Sequence, residues 1–145
     1  MDIAVPFAIS ASGLQAQRLR MNVISSNLAN IHSTRAEQGG PYRRKDVIFA
    51  GVPMQTQPFE RLLMVAGKPL QTVEVTQIIE DSREVKRIFD PGHPDATPDG
   101  FVSMPNINLM QEMVNLMTAS RSYEANVTVI EAAKNMALKA LEIGR

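Results

Sequence analysis

NLMQEMVNLMTASRSYEANVTVIEAAKNMALKALEI, residues 108–143, is the stretch that decides the fold of this 145-residue chain. Its seam positions alternate in steps of four and three residues, the spacing of one helical face, and most are apolar: Leu109, Met113, Leu116, Ser120, Tyr123, Val127, Ile130, Lys134, Ala137 and Leu141. One helix over this stretch is about 54 Å long, whereas a globule of this size is about 40 Å across. We therefore expect it to overhang the core and to need partners from other chains.

The N-terminal segment, roughly residues 9–31, predicts a second amphipathic helix. Its apolar stripe is interrupted by Ser10 and Gln17 and consists of Ile3, Phe7, Leu14, Met21, Ile24, Leu28 and Ile31. The Gly39-Gly40-Pro41 run marks a stop after it. If the chain builds a small sheet between the two helices, they pair antiparallel as a coiled coil through their stripes.

Signals at the ends of the C-terminal helix are clearer. Asn108 and Gln111 have the spacing of a capping box, and Gly144 stands where a C-terminal cap belongs. Met110, Val114 and Met117 add a second apolar face near the start. A helix that is apolar on more than one side is normally surrounded by neighbours, so this face argues against a self-contained helical hairpin.

The middle of the chain predicts a small β-rich domain. Three strands are expected at 46–50, 72–79 and 84–89, where Val, Ile and Phe are frequent, while 52–69 fits neither helix nor strand. The sequence thus predicts an α+β fold in three parts: an N-terminal assembly helix and loop (1–40), a β-rich middle domain (41–104) and a C-terminal assembly helix (105–145).

Composition excludes several classes of protein. The chain has 15 basic and 15 acidic residues and no cysteine, so it offers no bulk field for nucleic acid and no zinc-thiolate site, disulfide or thiol nucleophile. No segment is long and apolar enough to span a membrane. The N-terminus lacks the basic region of a secretory signal peptide. The short run Arg43-Arg44-Lys45 is expected to be a solvated loop or a subunit contact.

One loop concentrates groups that could carry chemistry. Residues 90–100 (DPGHPDATPDG) hold three carboxylates and His93, but the spacing differs from a calcium loop and the prolines and glycines favour tight turns. His32 is expected to be exposed or to cap the first helix. No phosphate-binding glycine loop or nucleophile triad is recognisable. We expect no catalytic residue, no metal, no cofactor and no small-molecule substrate.

The run SGLQAQRLRMNVISSNLAN, residues 12–30, resembles the N-terminal motif of bacterial flagellar rod and hook proteins, with SNLAN (26–30) as its hallmark. Further segments at 40–47, 89–102, 104–108, 120–126 and 139–145 resemble the short proximal-rod members of that family. The likeness covers nearly the whole chain and is weakest at 52–69.

That resemblance implies a structural protein without enzymatic activity. Members are exported by the flagellar type III apparatus without signal cleavage and stack helically in the rod that crosses the periplasm and transmits torque. Their terminal helices form the inner tube around the export channel. The implied partners are further copies, other rod proteins, the rod-to-membrane-ring junction and the export apparatus. Another rod subunit, a soluble helical-hairpin adaptor and, distantly, a metal-dependent enzyme are the alternatives.

The stripes and the motif together indicate an assembly interface. Its expected residues are Leu14, Met21, Ile24, Ser26, Asn27, Leu28, Ala29, Asn30, Met113, Leu116, Met117, Ser120, Tyr123, Asn126, Val127, Ile130 and Leu141. We expect the amides of Asn27 and Asn30 to satisfy backbone groups at the end of the first helix, with Leu28 on the buried stripe. An isolated monomer is expected to have poorly ordered ends, since its helices lack neighbours.

Overall fold

The computed structural model describes residues 4–36, 39–54 and 70–143, and in these ranges two long helices flank four short strands. In chain order the elements are α1 (Ala4–Ala29), β1 (Lys45–Pro53), β2 (Gln71–Glu80), β3 (Lys86–Phe89), β4 (Phe101–Met104) and α2 (Leu109–Ile143). The α+β class is therefore confirmed. Neither described helix is long and apolar enough to cross a membrane. Residues 55–69, which belong to the 52–69 segment that fits neither helix nor strand, lie outside the described residues, as does the predicted cap Gly144.

The strands form two separate antiparallel pairs. β1 pairs with β2 over their full lengths, with a bulge between Ile48 and Phe49. β3 pairs with β4, which the sequence did not predict. Gly100 makes this return possible, because its φ of +79° is a conformation that residues with a side chain rarely adopt. Phe89 and Phe101 then meet edge to face, with ring centroids 5.4 Å apart.

The elements group into two halves that meet along the helices. α1 packs against β1 and β2 as well as against α2, whereas among the described elements β3 and β4 pack only on each other. The Ser12 hydroxyl accepts a hydrogen bond from Val73 N at 3.1 Å, and the Arg20 guanidinium lies over the Phe49 ring. One half is thus α1 with β1–β2, and the other is the β3–β4 hairpin, which leads directly into α2.

The two helices pair antiparallel in a single register. Asn27 of α1 contacts Glu112 of α2, and Gly13 lies against Asn126. Both helices advance by the same fourteen residues between these contacts, from 27 to 13 and from 112 to 126. On this register the described part of α1 runs beside residues 110–135 of α2. The last eight residues of α2, 136–143, extend past Ala4, as the overhang expected from its length requires.

The buried face of each helix differs from the predicted stripe by one column of residues. In α2 the column Leu116, Tyr123 and Ile130 is shared, but the second column is 112, 119, 126 and 133 instead of 113, 120, 127 and 134. In α1 the second column includes 13 and 27 instead of 14 and 28. Buried Ala119 and Ala133 allow a close helix approach. The bulkier Met113 is consequently left exposed.

The start of α2 has the predicted cap in part. The Asn108 side-chain oxygen accepts hydrogen bonds from the backbone N–H groups of Met110 at 3.0 Å and Gln111 at 3.3 Å. The reciprocal bond of a capping box is not formed, because the Gln111 amide donates to Asn115 one turn further on. Asn108 is therefore an N-cap whose orphan donors are satisfied from one side.

Candidate assembly interface

A buried polar junction joins α1, β1 and α2, and Asn27 is at its centre. The Asn27 side chain is 0% exposed. Its amide donates to Lys45 O at 2.8 Å and to Glu112 Oε2 at 3.1 Å. Its oxygen accepts from Lys45 N at 2.9 Å and from the Tyr42 hydroxyl at 3.1 Å. All four hydrogen bonds available to an asparagine amide are thus made, so its burial carries no unsatisfied group.

Glu112 supplies the charge of this junction although it is only 1% exposed. Its Oε1 accepts a hydrogen bond from Arg44 Nε at 2.9 Å, and Arg44 donates a second bond to Asp46 at 3.0 Å. A buried carboxylate is tolerated only when it is paired and hydrogen-bonded, and Arg44 and Asn27 provide that pairing. The 43–45 run was expected to be a solvated loop or a subunit contact. That expectation is wrong for Arg44, which pairs with Glu112 and Asp46 of its own chain.

Hydrogen bonding at the junction favours the charged forms of Arg44 and Asp46. Burial opposes the charge on Arg44, but hydrogen bonds to Asp46 and Glu112 outweigh it and hold the pKa of Arg44 above its ordinary value. Burial likewise opposes ionisation of Asp46, yet bonds from Arg44 and from the Val47 N–H hold the pKa of Asp46 below its usual range. Both shifts follow from hydrogen bonding to the charged form.

The asparagines of the SNLAN motif have different roles. Asn30 donates to Ser26 O at 2.9 Å and so satisfies the last turn of α1, as predicted. Asn27 does not cap the helix, which corrects the expectation, because its four partners lie elsewhere. Leu28 is only half-buried, so it lies at the margin of the buried stripe. Exposed Ala29 completes the motif.

The predicted interface residues fall into three groups. Ile24 and Asn27 are buried, while Leu14, Met21, Leu28, Asn30, Leu116, Ser120, Tyr123, Asn126, Val127 and Ile130 are half-buried. The exposed group contains Ser26, Ala29, Met113, Met117 and Leu141. The junction residues Tyr42, Arg44, Lys45 and Glu112 were missed. A lone acidic residue among apolar neighbours at 109–117 is the signal that could have found Glu112.

A continuous apolar surface on α2 has no cover within the described chain. We call it the uncovered face. Met110 is 70% exposed and Met117 is 55% exposed, and Leu109, Met113 and Val114 lie around them. The overhanging end of α2 is also bare, with Ile143 87% exposed and Met136, Leu138 and Leu141 beside it. Contiguous apolar surface of this kind marks sites of protein association.

The 90–100 loop is built from turns and docks on the segment that follows α1. Asp95 accepts a hydrogen bond from the Thr34 hydroxyl at 2.8 Å and pairs with Arg35. The Thr34 bond, with the charge of Arg35, holds the pKa of Asp95 below its usual value. Within the described ranges no group of three His, Asp or Glu side chains is arranged to hold a metal. His32 is exposed. The contacts of Asp95 with Thr34 and Arg35 therefore tie the β3–β4 half to the end of α1.

Two family models match the parts of the chain that contain the two helices. A family model described as flagella basal body rod protein matches residues 7–36, which contain most of α1. Another, described as flagellar basal body rod FlgEFG protein C-terminal, matches residues 99–143, which contain β4 and α2. Flagellar basal-body rod protein FlgC of Bacillus subtilis (strain 168) is 44% identical, with 94% of this chain and 95% of the relative covered. The chain belongs to the FlgC family.

Two further FlgC proteins cover the chain almost end to end. That of Yersinia enterocolitica is 42% identical over 100% of both chains. That of Salmonella typhimurium is 40% identical over 96% of each. Because these FlgC relatives match over nearly their full lengths, the chain is a structural subunit of the flagellar basal-body rod, and the expectation of a rod protein of this type is confirmed. These relatives are named as flagellar basal-body rod proteins.

Proposed function

We propose that this chain polymerises helically through α1 and α2 into a torque-transmitting shaft around the export channel, with β1–β4 on the outside. The uncovered face of α2 is the observation that supports this most directly. Each large apolar side chain moved from water into a contact contributes roughly 1.5–3 kcal/mol. Several such side chains on one helix provide a strong drive for association with neighbouring subunits.

The predicted interface residues divide between two levels of packing in this proposal. The buried and half-buried ones, such as Ile24 and Ile130, hold the helix pair of one subunit together. The exposed ones, above all Met113, Met117 and Leu141, meet neighbouring subunits. The domain division at 1–40, 41–104 and 105–145 follows the same logic, with assembly helices at the two ends of the chain and a β-rich domain between them in sequence.

We assign further copies of the chain, other rod proteins and the rod-to-membrane-ring junction as partners. The shaft spans the periplasm, and the subunit reaches it through the type III export apparatus with an intact N-terminus and without catalytic activity. A shaft that transmits torque must resist sliding between subunits. Contacts on more than one side of α2, with Glu112 against α1 and Met110 and Met113 against neighbouring subunits, supply that resistance.

The test is a charge placed on the uncovered face. Met117→Asp leaves the fold of the subunit intact, because the side chain is exposed in the single chain, but it buries an uncompensated carboxylate on assembly, at a cost of several kcal/mol. We expect normal circular dichroism of the purified subunit and loss of motility and of basal-body rods in cells. Ser82→Asp, exposed in the bend between β2 and β3, is the matched control and is expected to swim.

Leu28→Asp and Val127→Asp are companion variants at half-buried seam positions. Both are expected to block rod assembly while export continues, with an added loss of subunit stability that Met117→Asp does not have. Motility equal to that of the parent in Met117→Asp would refute the proposed contact surface. A closed small oligomer of the purified chain, seen by sedimentation, would instead favour the helical-hairpin adaptor.

Localisation is tested separately by mass spectrometry of detergent-purified basal bodies after removal of hook and filament. Enrichment of the chain with its first methionine or second residue intact is the expected result. A shortened N-terminus that begins beyond a signal-peptide cleavage site would contradict uncleaved export. Absence from basal bodies would contradict the periplasmic shaft.

A further inference from the structure

The packing of α1 on α2 has a pattern that repeats every seven residues. In α2 the columns of buried and half-buried positions are 112, 119, 126, 133 and 116, 123, 130, 137, and in α1 the positions 10, 17 and 24 continue the same spacing. Seven residues make almost two helical turns. A slide of one helix along the other by seven residues therefore places seam positions on seam positions again. Apolar packing alone distinguishes these registers only weakly.

Two contacts do distinguish them. A slide by seven residues moves Asn27 and Glu112 about 10 Å apart along the axis and breaks their hydrogen bond of 3.1 Å. At the other contact, a side-chain carbon added to Gly13 would lie 3.0 Å from the Asn126 amide. The same slide places Asn126 beside position 6 or 20, where Pro6 and Arg20 carry side chains. Both contacts are thus available only in the observed register.

We propose that the Asn27–Glu112–Arg44 junction and the Gly13–Asn126 contact fix the axial register of α1 against α2. They thereby set where the α1/β1–β2 half lies relative to the β3–β4/α2 half. The β3–β4 hairpin packs on no other described element. Its position follows that of α2, because only residues 105–108 separate β4 from α2 and the Lys86 ammonium donates a hydrogen bond to Ile107 O in that segment. The helices thus define the relative position of the two halves, and the hydrogen bond between Asp95 and Thr34 adds a further contact between them.

Energetic considerations favour a role in specificity. Replacing a buried ion pair by apolar side chains of similar size is often neutral or stabilising. Stability alone therefore does not account for the burial of Glu112 and Arg44. A polar residue at a buried helix seam is an established means of fixing register. The junction also ties Asn27 to the first residue of β1 through both backbone groups of Lys45, which locks the strand to the same register.

The register is measured by electron–electron spin distances in the full chain. Nitroxide labels attached through Ser25→Cys on α1 and Lys139→Cys on α2 are at exposed positions far apart along the helix axis, and the chain has no other cysteine. One register gives one narrow distance. A slide by seven residues shifts the axial separation of the labels by about 10 Å, which resolves a second population.

The register variant combines Asn27→Leu, Arg44→Met, Glu112→Leu and Asn126→Ala, which remove both polar contacts and retain apolar bulk at the junction. We expect parent-like helical circular dichroism with a second distance population displaced by about 10 Å. Asn30→Ala is the matched control, because Asn30 belongs to the same motif but bonds only at the end of α1. This control is expected to keep the single parent distance.

Each other outcome overturns the proposal. A single unchanged distance in the register variant, with helix retained, means that apolar packing already fixes the register. Loss of helix in that variant means that the polar groups supply stability and not specificity. A broad distribution in the parent chain means that the junction sets no register in a single subunit.

Discussion

Removal of the buried carboxylate at the junction is the most informative perturbation of stability. Glu112→Ala leaves the Arg44 guanidinium, whose side chain is 15% exposed, without its deepest partner. Breaking a buried ion pair on one side costs roughly 3–5 kcal/mol. Arg44 keeps Asp46 at 3.0 Å and Asn27 keeps Lys45 O, so the lower end applies. We expect a loss of about 3 kcal/mol, equivalent to a fall in Tm of about 10 °C.

Urea unfolding followed by far-UV circular dichroism measures this loss. Glu84→Ala is the control, because Glu84 is exposed between β2 and β3 and surface changes usually stay within about 0.5 kcal/mol. The pair Arg44→Met with Glu112→Leu should recover most of the stability, since no buried charge is left unpaired and the side chain of Asp46, which loses its partner, is 50% exposed to water. A loss below about 1 kcal/mol in Glu112→Ala, well under the range for a broken buried pair, would refute this view of the junction.

Three further outcomes follow from particular contacts. Gly100→Ala should destabilise the β3–β4 hairpin by about 1–2 kcal/mol, because φ is +79° and the new carbon lies 2.8 Å from Phe89; parent-like hydrogen exchange in β3 and β4 would contradict this. Asn108→Ala should cost about 1 kcal/mol through loss of the cap, and an unchanged urea midpoint would argue against the cap. Docking of the 90–100 loop should weaken in acid. The folded pKa of Asp95 is lowered, so its contribution is complete above the ordinary aspartate pKa of about 3.9 and is lost as pH falls through the folded value. The nuclear magnetic resonance shift of the Thr34 amide should therefore change with a midpoint below the ordinary aspartate pKa of about 3.9, and a midpoint at or above that pKa would exclude the docking.

Local patterns in the sequence were sufficient for the helices and for most of the strands. The four-and-three spacing located α1 and α2, because long periodic segments have few alternative structures. The choice of face was wrong by one column in each helix. Size explains this error: the pattern gave most weight to large side chains such as Met113, whereas the close helix contact selected Ala119 and Ala133. Large side chains such as Met113 lie on the uncovered face instead.

The junction could not be read from the sequence because its members are far apart in the chain. Asn27 and Glu112 are separated by 85 positions, and no local spacing connects them. β4 was missed for a related reason, since four residues after a turn give too short a pattern, and its pairing depends on the conformation of Gly100. The likeness to rod proteins indicated the importance of Asn27, but only the three-dimensional arrangement shows which groups it bonds.

The methionines on the uncovered face and at the end of α2 make the chain a chemical reporter of its own surroundings. Met110, Met113, Met117 and Met136 are all exposed in the single chain. Peroxide converts exposed thioethers to sulfoxides, which add mass and polarity. Mass spectrometry after a brief oxidant pulse therefore records, residue by residue and without any label, which of these side chains are in water and which are shielded in a cell extract.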